Sequence, residues 1–221
     1  MSEKRYIFAL LILGVFSLLA SVSCQTYDEE NLPGDYSAPD GDNDAYEDSD
    51  GDSEQSEQVQ EEFPPGPYGL AIGDVMESWQ LSDCEGNTVA LKDYYPDAKA
   101  VLINSSAGWC TFCRRETPKL QEWYEEYSGD GLVILQALFE NNAGKPADSL
   151  FCRSWREEYG LTYPVLVDPE KIFSDYYLVP GETAGTPLSV ILDSEMVISL
   201  KHEGDISNSI LERIVEILEQ K

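Results

Sequence analysis

The hydrophobic pattern divides this chain into three stretches. Tyr6 to Ala20 is an almost unbroken apolar run behind Lys4 and Arg5, and small residues follow from Ser21 to Ser23. Ser17 alone interrupts the run, too little to make a solvent face, so it does not read as a surface helix of a domain. From Asp28 to Glu62 apolar positions become sparse. Beyond Tyr68 they return with the periods of secondary structure. Strands are predicted over 75–82 and 88–91, joined by the turn Asp83-Cys84-Glu85-Gly86-Asn87. The run K-A-V-L-I-N-S over 99–105 suits a buried parallel strand. A helix is predicted over 111–127, with Leu120, Trp123, Tyr124 and Tyr127 at helical spacing and Gly129 near its stop. A strand over 131–139, a helix over 146–159 ended by Gly160, a strand over 163–167 and a short helix over 169–176 follow. The hairpin 188–192 and 196–202 turns at Asp193-Ser194-Glu195, and an amphipathic helix over 206–218 closes the chain. This order predicts an α/β domain over 68–221 in three layers, a mixed central sheet with helices on both faces and an N-terminal β-hairpin extension.

The first two stretches carry information about place. A basic start, an apolar stretch of about 15 residues and a small-residue exit form a secretory signal peptide, expected over 1–23. A permanent spanning helix needs about 20 apolar residues, more than this run supplies. Ser21-Val22-Ser23-Cys24 resembles the lipobox of bacterial lipoproteins, although Ser21 stands where Leu is usual. The resemblance implies lipidation of Cys24 and a membrane anchor facing the periplasm or cell exterior. Residues 28–62 hold 15 Asp or Glu and no Lys or Arg. Like charges repel and there is too little apolar surface to offset ordering, so 24–67 is expected to be an acidic, extended tether. Asp-Gly-Asp occurs at 40–42 and 50–52, but no twelve-residue loop with a closing Glu fits over it, which sets a calcium loop aside. The net charge of −28 repels nucleic acid and removes that partner class.

The chemistry sits at Trp109-Cys110-Thr111-Phe112-Cys113, which follows a predicted buried strand and opens a predicted helix. Disulfide exchange needs a thiolate, and an ordinary thiol near pKa 8.5 is mostly protonated at neutral pH. A helix N-terminus offers unpaired amides and partial positive charge to the first sulfur. The second sulfur, one turn on, is placed to attack a mixed disulfide and release the partner. Cys110 is therefore the candidate nucleophile and Cys113 the resolving thiol. A zinc site needs four ligands, and the chain has one His and no second Cys pair, so no metal and no cofactor is expected.

Residues 68–221 resemble the thioredoxin-like superfamily, and within it the exported TlpA/ResA-type thiol–disulfide oxidoreductases, related to the redoxin and AhpC/TSA families. Asn104 lies six residues before Cys110, where TlpA/ResA-type members commonly carry Asn. Trp109 matches the Trp before the motif, Pro118 the Pro inside the active-site helix, and Glu116 an acidic residue that the resemblance implicates in proton transfer. Thr186-Pro187 matches the cis-proline loop that receives a partner's backbone. The resemblance implies exchange with protein thiols and disulfides, an upstream redox partner and a monomeric chain. Ser105-Ser106-Ala107-Gly108 departs from the usual Phe-Trp-Ala-x, and Thr111-Phe112 replaces the common Gly-Pro or Pro-Pro. Those middle residues tune the potential, so the direction of exchange stays open.

Arg114 and Arg115 admit two roles, holding the thiolate or lining the helix surface. His202 is expected at the surface. With Cys24 lipidated and Cys110 paired to Cys113, Cys84 and Cys152 remain. An exported protein seldom leaves two thiols free, so a structural disulfide between them is expected. A redoxin-type peroxidase would need a Pro-x-x-x-Thr-x-x-Cys setting, which Cys110 lacks. A non-catalytic binding module on the same fold has little use for the intact cysteine pair.

Overall fold

The computed structural model describes residues 62–177 and 185–220. The expected signal peptide 1–23, Cys24 and most of the expected tether lie outside them. Among the described residues no helix is long and apolar enough to cross a membrane.

The sheet runs in the order β2-β1-β5-β4-β3-β6-β7. Its centre is β3 (Ala100–Ala107), buried at all eight positions, paired in parallel with β4 (Leu132–Glu140). β5 (Val165–Val167) extends this parallel block beyond β4. On the other side β6 (Leu188–Leu192) and β7 (Ile198–Glu203) add antiparallel. The N-terminal hairpin, β1 (Gln80–Asp83) and β2 (Thr88–Ala90), joins the far edge through an antiparallel β1–β5 pairing. One face carries α1 (Thr111–Tyr127), α2 (Ser149–Tyr159) and α4 (Asn208–Leu218), whose Leu120, Trp155, Ile210 and Ile214 pack onto Leu102, Ile134 and Leu138. The other face carries α3 (Ile172–Tyr177) and the segment around Met76 and Trp79, packed onto Val101, Ile103 and Leu135. Alternate residues of β3 and β4 thus enter opposite layers, as strand geometry requires.

The elements appear in the expected order, but several boundaries move for identifiable reasons. The strand expected over 75–82 forms a ladder only from Gln80. Val75 bridges to Val197 at one edge of the sheet, whereas β1 pairs at the other, so the chain between them crosses the face instead of extending it. α2 starts at Ser149 because the Asp148 carboxylate accepts the Phe151 N–H at 2.8 Å. It stops at Gly160, whose φ of 61° lies in the left-handed region that favours glycine. α3 starts at Ile172, where the Asp168 carboxylate accepts the N–H groups of Ile172 and Phe173 at 2.6 and 3.0 Å. α4 begins two residues later than expected, after Ile206 gives its N–H to the Glu116 carboxylate at 3.1 Å.

Packing begins before Tyr68: Phe63 meets the Tyr95 ring edge-on at 5.8 Å, and the Tyr68 hydroxyl donates to the Pro64 carbonyl. Cys84, in the β1–β2 turn, forms a disulfide with Cys152 on α2, their Cα atoms 5.2 Å apart. Both are fully buried. The bond ties the hairpin to the helical layer across 68 residues of chain.

Candidate active site

Parallel β3 delivers the chain to the helical face, and a register shift at Ser106 and Ala107 ends the ladder there. Gly108 then passes so close to the next loop that a side chain would meet the Asn142 amide nitrogen at 2.6 Å and Phe151 at 2.7 Å. Cys110 is the N-cap of α1, with φ −78° and ψ 112°, and its Sγ accepts the Cys113 N–H at 3.1 Å. A sulfur thus occupies the place where Ser or Asp ordinarily satisfies a first-turn amide. Negative charge on that sulfur would meet an aligned donor and the positive end of a 17-residue helix.

Cys110 and Cys113 are joined in a disulfide with Cα atoms 5.3 Å apart, so the site is in its oxidised form. They sit in a small apolar cluster with Ala107 and Phe139. Cys113 is fully buried and Cys110 is 3% exposed, while Trp109 and Phe112 stand 48% and 50% exposed on either side. The Thr186–Pro187 peptide is cis. The Thr186 carbonyl lies 3.8 Å from Cys110 Sγ, and its Oγ1 lies 3.8 Å from Cys113 Sγ. Trp109 lies far from Thr186 and Pro187 in sequence, and the fold gathers Trp109 and Thr186 around the sulfurs with Pro187 buried behind. Trp109 donates from Nε1 to Glu140 at 2.7 Å, and Glu140 pairs with Lys171 at 2.9 Å. Hydrogen bonds from Lys171 and then Trp109 hold the Glu140 carboxyl below its ordinary value. Between Trp109, Phe139, Lys171, Ser174 and Thr186 lies a cleft of about 350 Å³.

Glu116 is fully buried on α1, one turn past Cys113. Its Oε1 accepts from Asn104 Nδ2 at 2.8 Å and its Oε2 from the Ile206 N–H at 3.1 Å. Burial raises its pKa to about 7; the Asn104 and Ile206 bonds hold it down, nearby Asp205 raises it and Lys119 lowers it. A carboxyl poised there can take or give a proton at neutral pH. Among the described residues no three His, Cys, Asp or Glu side chains converge as a metal set.

The AhpC/TSA family profile matches residues 72–201, more than half of the chain. The chain belongs to the AhpC/TSA family. It is 29% identical over 149 residues to the thioredoxin-like protein YneN of Bacillus subtilis, covering 67% of this chain and 81% of that one. It is 33% identical over 115 residues to the thiol-disulfide oxidoreductase ResA of Geobacillus thermodenitrificans, covering 52% and 62%. The thioredoxin domain of a thiol-disulfide oxidoreductase from Bacteroides vulgatus superposes with a TM-score of 0.55 at 21% identity, over 68% of this chain and all of that domain. Family, thioredoxin-like fold and cysteine pair converge on thiol–disulfide oxidoreductase chemistry.

In this AhpC/TSA-family chain the two arginines after Cys113 divide: Arg115 lies exposed on the helix surface, as one of the two readings had it, and Arg114 is half-buried. Arg114 donates to the Gly108 carbonyl at 2.7 Å and to Asn142 at 2.8 Å, pairs with Glu158 at 3.2 Å, and lies over the Trp155 ring. It braces the loop before Cys110 against α2. Arg115 pairs with Asp205 at 2.6 Å and covers the Phe112 ring. His202 is half-buried, its Nε2 3.0 Å from the Asp205 carbonyl. Sequence reasoning missed Gln136, Ser189 and the Ile206 N–H, which complete the surroundings of Asn104 and Glu116. Only Gln136 left a signal, as the one strongly polar residue inside the apolar run of β4.

Proposed function

We propose that this protein exchanges disulfides with cysteines of other proteins, with Cys110 as nucleophile and Cys113 as resolving thiol. In the reduced form the Cys110 thiolate attacks one sulfur of a partner disulfide. A bond forms between the two sulfurs, the partner's own S–S bond breaks, and its second sulfur leaves and takes up a proton. Cys113 then gives its proton to Glu116 and attacks Cys110 Sγ. The Cys110–Cys113 disulfide forms and the partner departs as a dithiol, two electrons richer. Run backwards, the same steps oxidise a partner dithiol. Trp109, Thr186 and Pro187 receive the partner chain, and the cleft beside them takes the side chains next to its reacting cysteine.

The observation that carries this reading is the Cys110 sulfur standing as N-cap and accepting the Cys113 amide. The role of Glu116 is supported by its burial and its pKa near 7. The N-terminal pattern supports export, with a signal peptide over 1–23, lipidated Cys24 and the acidic tether holding the domain near a membrane. A separate upstream partner then resets the pair, and the domain works as a monomer. Cys84–Cys152, buried away from solvent, serves structure and not turnover.

The test is reduction of insulin by dithiothreitol, wild type beside Cys110→Ser and Cys113→Ser. Catalysis by wild type and its loss in Cys110→Ser are expected, with Cys113→Ser trapped as a mixed disulfide with its partner. Undiminished reduction by Cys110→Ser would overturn the assignment.

A further inference from the structure

A chain of buried amides runs from Glu116 into the core of the sheet, and its direction is dictated at the far end. Trp155, fully buried on α2, donates from its indole Nε1 to Gln136 Oε1 at 3.0 Å. An indole nitrogen can only donate, so the oxygen of Gln136 must face it. The Tyr163 hydroxyl donates to the same oxygen at 3.1 Å. Gln136 Nε2 is thereby turned the other way, toward Asn104 Oδ1 and Ser106 Oγ at 3.2 Å each and Thr117 Oγ1 at 3.0 Å. Asn104 Oδ1 also accepts from Ser106 at 2.6 Å. With its oxygen occupied by donors, Asn104 presents Nδ2 to Glu116 Oε1 at 2.8 Å and to Ser189 Oγ at 3.1 Å. Each amide has one orientation that satisfies the network, and the Trp155 N–H selects it. A second branch leaves Gln136 through Thr117, whose hydroxyl donates to the Cys113 carbonyl at 2.8 Å.

We infer that Gln136, oriented by Trp155, is a positioning residue that keeps the Asn104 amide turned toward the Glu116 carboxylate. This deepens the reading of Glu116 as proton acceptor and rests on it. Were Asn104 to turn over, two oxygens would face each other, and Glu116 would keep its proton to supply the missing hydrogen. The other titratable groups come from its own helix and from neighbouring segments. Lys119 and Arg115 stand on α1, Asp205 in the loop before α4, His202 on β7, and Tyr163 behind the amides before β5. Arg115 is paired with Asp205, His202 Nε2 faces the Asp205 carbonyl and Tyr163 already donates to Gln136, so the Asn104 amide is the side-chain donor that reaches Glu116. A polar residue in the middle of β4 thus sets the availability of the acceptor one turn past Cys113.

The test is a pH titration of the Glu116 carboxyl carbon by NMR in the oxidised full chain, its resonance assigned by its absence in Glu116→Gln. Gln136→Met keeps length and removes both polar ends. Its Glu116 midpoint is expected to rise by about one unit, a roughly tenfold tighter proton. Trp155→Phe removes the directing N–H together with part of the ring but keeps both amides, and a smaller rise is expected. Tyr163→Phe leaves the Trp155 donor in place, so its midpoint should stay near that of wild type, although all three variants lose stability. An unmoved midpoint in Gln136→Met, or equal shifts in Trp155→Phe and Tyr163→Phe, would overturn the inference. Should Gln136→Met not fold, the contrast between the other two decides. Failure of the proton-acceptor reading shows separately, as a pH profile of insulin reduction that Glu116→Gln leaves unchanged.

Discussion

The chain holds the same bond twice in different surroundings. Cys84–Cys152 lies wholly inside the main core, joins elements 68 residues apart and meets no solvent. Cys110–Cys113 closes a two-residue loop at a helix N-terminus, between half-exposed Trp109 and Phe112 and next to an open cleft. Closing a long loop removes much freedom from the unfolded chain, and closing a short one removes little. The first bond therefore has leverage over stability and no route to a partner. The second contributes little to stability and has donors waiting for a thiolate. Position in the fold, not the sulfur chemistry, separates a staple from a reagent.

Four variants sharpen that contrast. The largest effect is expected from Cys110→Ser, which should abolish insulin reduction while thermal unfolding of the reduced protein moves little. The double change Cys84→Ala with Cys152→Ala should do the reverse. Loop entropy alone puts the loss near 4 kcal/mol, read by denaturant unfolding, with exchange at Cys110 retained in the protein that stays folded. Loss of exchange in that variant under conditions where it is folded would break the comparison.

Glu116 ranks next. Its pKa of about 7 in the folded state exceeds the ordinary 4.5, so folding tightens its hold on a proton. Below about 4.5 both states are protonated and the full contribution is present. As pH rises toward 7 the unfolded chain gives up its proton first, and stability falls by about 3 kcal/mol once both states are ionised. Glu116→Gln should remove this decline, seen as a flatter stability profile between pH 5 and 8, and with it the neutral-pH inflection of exchange. The smallest effect is expected from Glu140→Gln. It removes the partly exposed carboxylate that pairs with Lys171 and accepts from Trp109, a surface pairing worth about 1 kcal/mol or less. A several-fold higher KM for insulin with little change in kcat is the expected result.

How much of this was legible beforehand depended on whether the cause was local. The Cys110–Cys113 placement, the span of α1 and the order of strands and helices followed from spacing and apolar runs along a short stretch of chain. Cys84 and Cys152 were named as partners from cysteine bookkeeping, without knowledge that the turn before β2 reaches α2. The starts of α2 and α3 were misjudged because Asp148 and Asp168 cap them, a choice made by side-chain geometry and invisible to periodicity. The role of Arg114 stayed open in the sequence because its partners Gly108, Asn142 and Glu158 come together only when the loops fold over α1. The amide chain through Gln136 is the deepest case, since it joins β3, β4, β6, α1 and α2 and no window of sequence contains it.

The central claim is that the Cys110 sulfur is held as a thiolate by the first turn of α1. The most direct measurement is the pH dependence of iodoacetamide alkylation of the reduced protein, with the modified cysteine identified by peptide mass. Alkylation at Cys110 with a midpoint clearly below the ordinary thiol value of about 8.5 is the predicted result. Alkylation that begins only at or above that pH, or that falls first on Cys113, would contradict it.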